Sequence, residues 1–136
     1  MTETFAPYAH TIVALALWPI VQILLSFAAV SGTPRAKTDS GHPVRDYSDP
    51  FYRRHRAFLN AQEAAAPFIA ASVAAILAGA SPFWVNLFAS VFLVSRLATA
   101  SVHILTEVQW LRSATWLFGF LSTIALAILA LVGAFT

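Results

Sequence analysis

The chain has 136 residues, of which 59% are hydrophobic and only 10% charged, with a formal net charge of +2 and no cysteine. Soluble domains of this size carry about 25% charged residues, so this composition cannot cover a water-facing surface, and lipid must solvate most of the molecule. The missing cysteine excludes disulfides, thiolate metal sites and a cysteine nucleophile.

A first apolar run extends from Tyr8 to Val30. No basic segment precedes it and it is longer than a signal-peptide core, so it reads as a retained span. Within it, Gln22 and Ser26 lie four apart and read as interhelical hydrogen-bonding residues. Residues 31–55 form a polar loop, and six of the eight basic residues lie in the stretch from Arg35 to Arg56 that covers most of it: Arg35, Lys37, Arg45, Arg53, Arg54 and Arg56. Placed between two apolar runs, such a cluster sets membrane orientation and does not point to nucleic acid. The loop is expected on the cytoplasmic side and both termini outside. Asp46 and Asp49 are expected only to solvate this loop. His10, His42 and His55 share no ligand spacing, so no metal site is expected.

A second, alanine-rich run covers Ala57 to Ala80 and closes in the turn Gly79-Ala80-Ser81-Pro82. Its small residues, spaced four apart, suit close helix packing within one bundle or between subunits. A third run covers Phe83 to Leu105, a connection follows from Thr106 to Ser113, and a fourth run covers Ala114 to Phe135. Each run is 22 to 24 residues long, enough at ~1.5 Å per residue to cross a hydrocarbon core of ~30 Å. Backbone at that depth must be helical, because no water is present to satisfy it. The expected fold is therefore all-α: one integral membrane domain, a four-helix bundle. Trp18, Trp84, Trp110 and Trp116 are candidate interfacial anchors, although Trp18 lies deep for that role.

Ionisable side chains within a span are costly and mark functional sites by default. Glu63, Arg96 and His103 are three, and Arg56 and Asn60 stand at the entrance of the second span. Arg56, Asn60, Glu63 and Pro67 follow one helical stripe at i, i+4, i+7 and i+11. Arg96 and His103 are seven apart on the third span, with Thr99 between them on the same face. Glu63 and Arg96 lie at similar depth and can meet, directly or through a ligand, and Arg112 sits at the height of Arg56. These residues outline a polar pocket open to the cytoplasm. Its arginines suit carboxylates and its glutamate suits an ammonium group, which together match a small zwitterion with two carboxylates and one amine. The competing explanation is a self-neutralising Glu63–Arg96 ion pair flanked by snorkelling arginines.

The segment Arg56-Ala-Phe-Leu-Asn60-Ala-Gln-Glu63-Ala-Ala-Ala-Pro67 resembles the signature of the MAPEG family, the membrane-associated proteins in eicosanoid and glutathione metabolism. Arg96, followed seven residues later by His103, is similar to the family's arginine–tyrosine pair. Arg112-Ser113 resembles the residues that open its fourth helix. The resemblance covers essentially the whole chain and implies a homotrimer with glutathione as cofactor, bound between neighbouring subunits. It implies that Arg56, Asn60, Glu63 and Arg96 hold glutathione, with His103 in the place of the family's tyrosine. It further implies that Arg112 stabilises the thiolate and that Ser113 is a hydroxyl donor. Two departures stand out: His103 itself, and Leu59, where several members carry a basic residue.

The expected function is a glutathione-dependent transferase or peroxidase in a lipid bilayer, acting on a lipophilic small-molecule electrophile without any nucleic-acid partner. The expected location is the inner membrane of a bacterium. Two rivals stand beside it: a noncatalytic lipid-binding member of the family, and a small proton-coupled transporter using Glu63.

Overall fold

Helix boundaries in this chain have local causes. Pro50 and Pro82 each sit in a first helical turn, where a missing N–H costs nothing. Asp49 caps the first of these helices by accepting from the Phe51 amide at 2.9 Å. Gly79, at φ +64°, supplies the left-handed residue that ends it. The computed structural model describes residues 3–136. It contains a 3-10 turn, Ala6–Tyr8, and four helices: α1 Ala9–Val30, α2 Pro50–Leu77, α3 Pro82–Leu105 and α4 Gln109–Phe135. α2 and α4 begin before the apolar runs that announced them, because helical hydrogen bonding continues through the polar residues of Pro50–Arg56 and Gln109–Ser113. The connection expected over Thr106–Ser113 is correspondingly reduced to residues 106–108.

Consecutive helices alternate in direction. Tyr8 at the start of α1 donates from its hydroxyl to the Ala80 carbonyl just past α2, at 2.6 Å. The Asn86 amide, near the start of α3, accepts from Thr11 N at 3.0 Å and Thr11 Oγ1 at 2.8 Å, and donates to the Pro7 carbonyl at 2.7 Å. At the opposite end, Arg54 of α2 donates to the Ala28 and Ser31 carbonyls at 3.1 and 2.6 Å. Arg53 donates to the Ile104 carbonyl at 3.2 Å, to the Tyr47 carbonyl at 2.9 Å and to Glu107 at 3.2 Å. The last carbonyls of a helix have no intrahelical donor and carry partial negative charge. Two of the six loop-region basic residues thus bind the chain ends of α1 and α3, a role their clustering alone did not reveal.

Asp49 also departs from its expected role. It is buried, and besides capping α2 it accepts from the Arg35 amide at 3.0 Å. That hydrogen bond is the main reason its carboxyl is held below the usual range. Asp46 is the half-buried counterpart, accepting from Ser48 N at 2.8 Å and Ser48 Oγ at 3.0 Å.

α2 and α3 form the centre of the bundle, and α1 and α4 each pack on both. The rings of Phe68 and Phe92 stack at 3.7 Å between centroids, and Trp18 of α1 meets Phe92 edge-on at 5.2 Å. Trp18 is therefore a core residue, 1% exposed, whereas Trp84, Trp110 and Trp116 reach the surface as expected of anchors. Gln22 donates to the Ala61 carbonyl at 3.3 Å across the α1–α2 interface, while Ser26 bonds only within α1. The segment containing α1, together with α3 and α4, is long and apolar enough to cross a membrane, at mean hydropathies of 2.2, 1.6 and 2.4. α2 has a lower mean because it carries Arg53, Arg54, Arg56 and Glu63, and alanine supplies much of its apolar part. Its alanines divide between two faces: Ala57, Ala61, Ala71 and Ala75 are buried in the core, while Ala70 and Ala74 are exposed.

Candidate functional site

The end of the bundle where α1 and α3 finish and α2 and α4 begin carries a polar cavity of ≈ 680 Å³. It gathers Arg56, Asn60 and Glu63 from α2, His103 from α3, and Arg112 and Ser113 from α4. Six of the seven residues singled out in the sequence therefore share one space. The seventh, Arg96, lines an adjoining apolar groove of ≈ 880 Å³ between α2 and α4. Asn60, Glu63 and Trp116 belong to the walls of both.

Connectivity within the site differs from the expected intramembrane pair. Glu63 does not bond Arg96; its carboxylate accepts from Arg56 Nη1 at 3.1 Å. The two are seven residues apart on the same stripe, about 10 Å along the axis, and their long side chains close that gap along one helix face. Arg96 instead donates to Asn60 Oδ1 at 3.2 Å, across the α2–α3 interface. Its guanidinium is flanked by the rings of Phe92, 5.4 Å away, and Trp116, 5.9 Å away. Gly119 makes this placement possible: a Cβ there would fall 2.8 Å from Arg96 Nε and 2.7 Å from Ser95 Oγ.

The charge balance is one-sided. Arg45, Arg56, Arg96 and Arg112 converge on these two adjoining spaces against the single carboxylate of Glu63. Among the described residues, no carboxylate lies within ion-pair distance of Arg96 or Arg112. Arg96 is only 5% exposed, and an uncompensated buried ion costs on the order of several kcal/mol. Arg96 Nε, His103 Nδ1 and Arg112 Nη1 are buried without hydrogen-bond partners. Buried polar atoms without partners are uncommon in native proteins, and here three of them cluster in one arginine-rich region. Pro67, which has no N–H to give to the Glu63 carbonyl, lies on the adjoining groove wall. The arrangement suits an anionic ligand with more than one negative group.

Arg45, Tyr47 and Gln109 also line the cavity, although the sequence did not mark them as site residues. Arg45 and Tyr47 come from the loop, where helical periodicity gives no signal. Gln109 was assigned to a connection that proved to be the first turn of α4. Leu59, one of the two departures noted above, lines an adjoining loop-side recess with His42, Tyr52 and His55, which shares Arg45, Tyr47 and Arg56 with the cavity.

Fold and composition define an integral membrane protein built as a four-helix bundle, in a lipid environment. The profile of the MAPEG family matches residues 11–132, and the chain belongs to that family, whose members are generally associated with glutathione. No curated protein matches the chain.

Proposed function

We propose that this protein is a homotrimeric, glutathione-dependent transferase or peroxidase acting on lipophilic electrophiles. The observation that carries this reading is the shared wall between the two spaces: a polar, arginine-rich cavity opens beside an apolar groove through Asn60, Glu63 and Trp116. A water-soluble anion and a membrane-borne partner would meet there. The groove follows α2 from Asn60 to Ala78, about 27 Å at ~1.5 Å per residue, so its apolar occupant would enter from the bilayer.

The donor set fits glutathione. Arg56 and Arg96 offer guanidinium groups to carboxylates, Asn60 offers an amide, Glu63 has a second carboxylate oxygen for an ammonium group, and His103 Nδ1 is free to bond. When bound, glutathione supplies the thiol nucleophile that a cysteine-free chain lacks. Arg112 would favour the charged form of that thiol, because a neighbouring cation lowers a thiol pKa. Ser113, exposed on the cavity wall, would offer a hydroxyl donor beside it.

Two features support assembly and orientation. Gln62 and Glu63 are exposed on the lone protomer within the expected second span, where lipid is a poor partner for amide and carboxylate. A neighbouring subunit against α2 would cover them and close the groove. The concentration of basic residues at the cavity end supports a cytoplasmic site with external termini.

Calorimetric titration of the detergent-purified protein with glutathione tests the proposal. Saturable binding that weakens in Arg56→Ala is expected. Absence of any binding heat would overturn the glutathione-dependent reading and favour a lipid-binding or transport role.

A further inference from the structure

The loop ahead of α2 sends an aromatic side chain into the cavity, and it faces the arginine assigned to the thiol. The guanidinium carbon of Arg112 lies over the Tyr47 ring, 4.0 Å from its centroid. The same ring is stacked at 26° against the His103 imidazole, 6.4 Å between centroids, and meets Tyr52 edge-on at 5.1 Å. Its backbone is pinned as well: the Tyr47 carbonyl accepts from Arg53, which also bonds the Ile104 carbonyl and Glu107. The ring is thus fixed from α2 and α3, while the arginine beneath it comes from α4.

This arrangement differs from an ion pair in one important respect. A carboxylate on Arg112 would occupy its N–H groups, often two at once. An aromatic face attracts the cation through its quadrupole and leaves those N–H groups available. Arg112 has no carboxylate partner among the described residues, and its Nη1 is buried without a hydrogen-bond partner.

We propose that Tyr47 is the positioning residue for Arg112, its ring face holding the guanidinium at the cavity while the N–H donors stay free for an anionic sulfur. The inference rests on the proposed role of Arg112 in thiolate stabilisation. It assigns the effect to the ring face and not to the hydroxyl, so phenylalanine can replace Tyr47 and an aliphatic or amide side chain cannot.

The test is a pH titration of bound glutathione by near-ultraviolet thiolate absorbance, with calorimetric affinity measured alongside, on the full-length protein in detergent. Tyr47→Phe should titrate with the wild type. Tyr47→Leu should raise the bound thiol pKa by about 0.5 to 1 unit, on the scale of a partly desolvated cation–π contact. It should lower kcat roughly three- to tenfold at neutral pH, with recovery as pH rises, while glutathione affinity changes by less than about threefold. Tyr47→Gln repeats the measurement with a second non-aromatic side chain in case Tyr47→Leu does not fold. A wild-type thiolate with unchanged titration in both non-aromatic variants overturns the inference alone, as does a Tyr47→Phe that behaves like Tyr47→Leu. Absence of a thiolate in the wild type overturns the role of Arg112 and this inference with it.

Discussion

Gly119→Ala is a single-methyl perturbation aimed at Arg96 from the opposite helix. The new Cβ would stand 2.7 Å from Ser95 Oγ, 2.8 Å from Arg96 Nε and 3.3 Å from Arg96 Cζ, where favourable carbon contacts lie at about 3.5–4.0 Å. Neither neighbour yields freely. Ser95 Oγ is tied to the Phe92 carbonyl at 2.8 Å, and the guanidinium is held between two rings and Asn60. Overpacking of this kind costs about 1–3 kcal/mol, while alanine in place of glycine returns roughly 0.8–1.0 kcal/mol of helix propensity. Net destabilisation should therefore be small, near 0–2 kcal/mol. The larger consequence falls on Arg96 as a ligand donor, where one charge-assisted hydrogen bond to a carboxylate contributes about 1.5–3 kcal/mol. If Arg96 grips glutathione, its displacement should weaken binding about 10- to 100-fold, at 1.4 kcal/mol per decade. Calorimetry and thermal unfolding in the same detergent separate the two effects. A folded Gly119→Ala with wild-type affinity would refute the placement of Arg96 in the ligand site.

Double-mutant cycles on Arg56, Glu63 and Arg96 test the observed connectivity: Arg56 and Glu63, a partly exposed pair, should couple by about 0.2–1 kcal/mol in unfolding measurements. Stronger coupling of Glu63 to Arg96 than to Arg56 would contradict it. Asp49→Ala removes a helix cap and should cost about 0.5–2 kcal/mol. Because hydrogen bonding lowers the folded-state pKa of Asp49, its stabilisation is complete above the unfolded value of about 3.9 and is lost as pH falls through the folded value. The stability gap between wild type and Asp49→Ala should therefore be flat at neutral pH and shrink only under strong acid; a gap that widens on acidification would contradict this role. The chain has no native cysteine, so cysteines placed singly at His42 and Ser81 report topology directly: they should label from opposite sides of sealed vesicles, and labelling from one side would overturn the orientation.

The four helices were legible because twenty-residue apolar runs permit only one backbone solution in lipid, and the Gly79–Pro82 turn punctuates the sequence where the chain reverses. The stripe Arg56, Asn60, Glu63 was equally legible, since helical periodicity fixes which residues share a face. Partner choice was not. Depth matching brought Glu63 and Arg96 to one level, but a glutamate seven residues along the same stripe was already within reach of Arg56, and only the packing of α2 on α3 gave Arg96 to Asn60. Trp18 was readable as deep, yet its contact with Phe92 depends on how three helices pack. Tyr47 left no trace in the sequence because loops have no period, and Arg53 and Arg54 looked like orientation charges until the ends of α1 and α3 were seen beneath them.

The central claim is that Arg112 stabilises a glutathione thiolate in the cavity at the head of α4. Near-ultraviolet thiolate absorbance of glutathione bound to the wild type and to Arg112→Leu, followed across pH, tests it most directly. The wild-type thiol should ionise well below the free tripeptide, and Arg112→Leu should still bind glutathione but return its pKa toward the free value. Bound glutathione that ionises identically in the two proteins would contradict it.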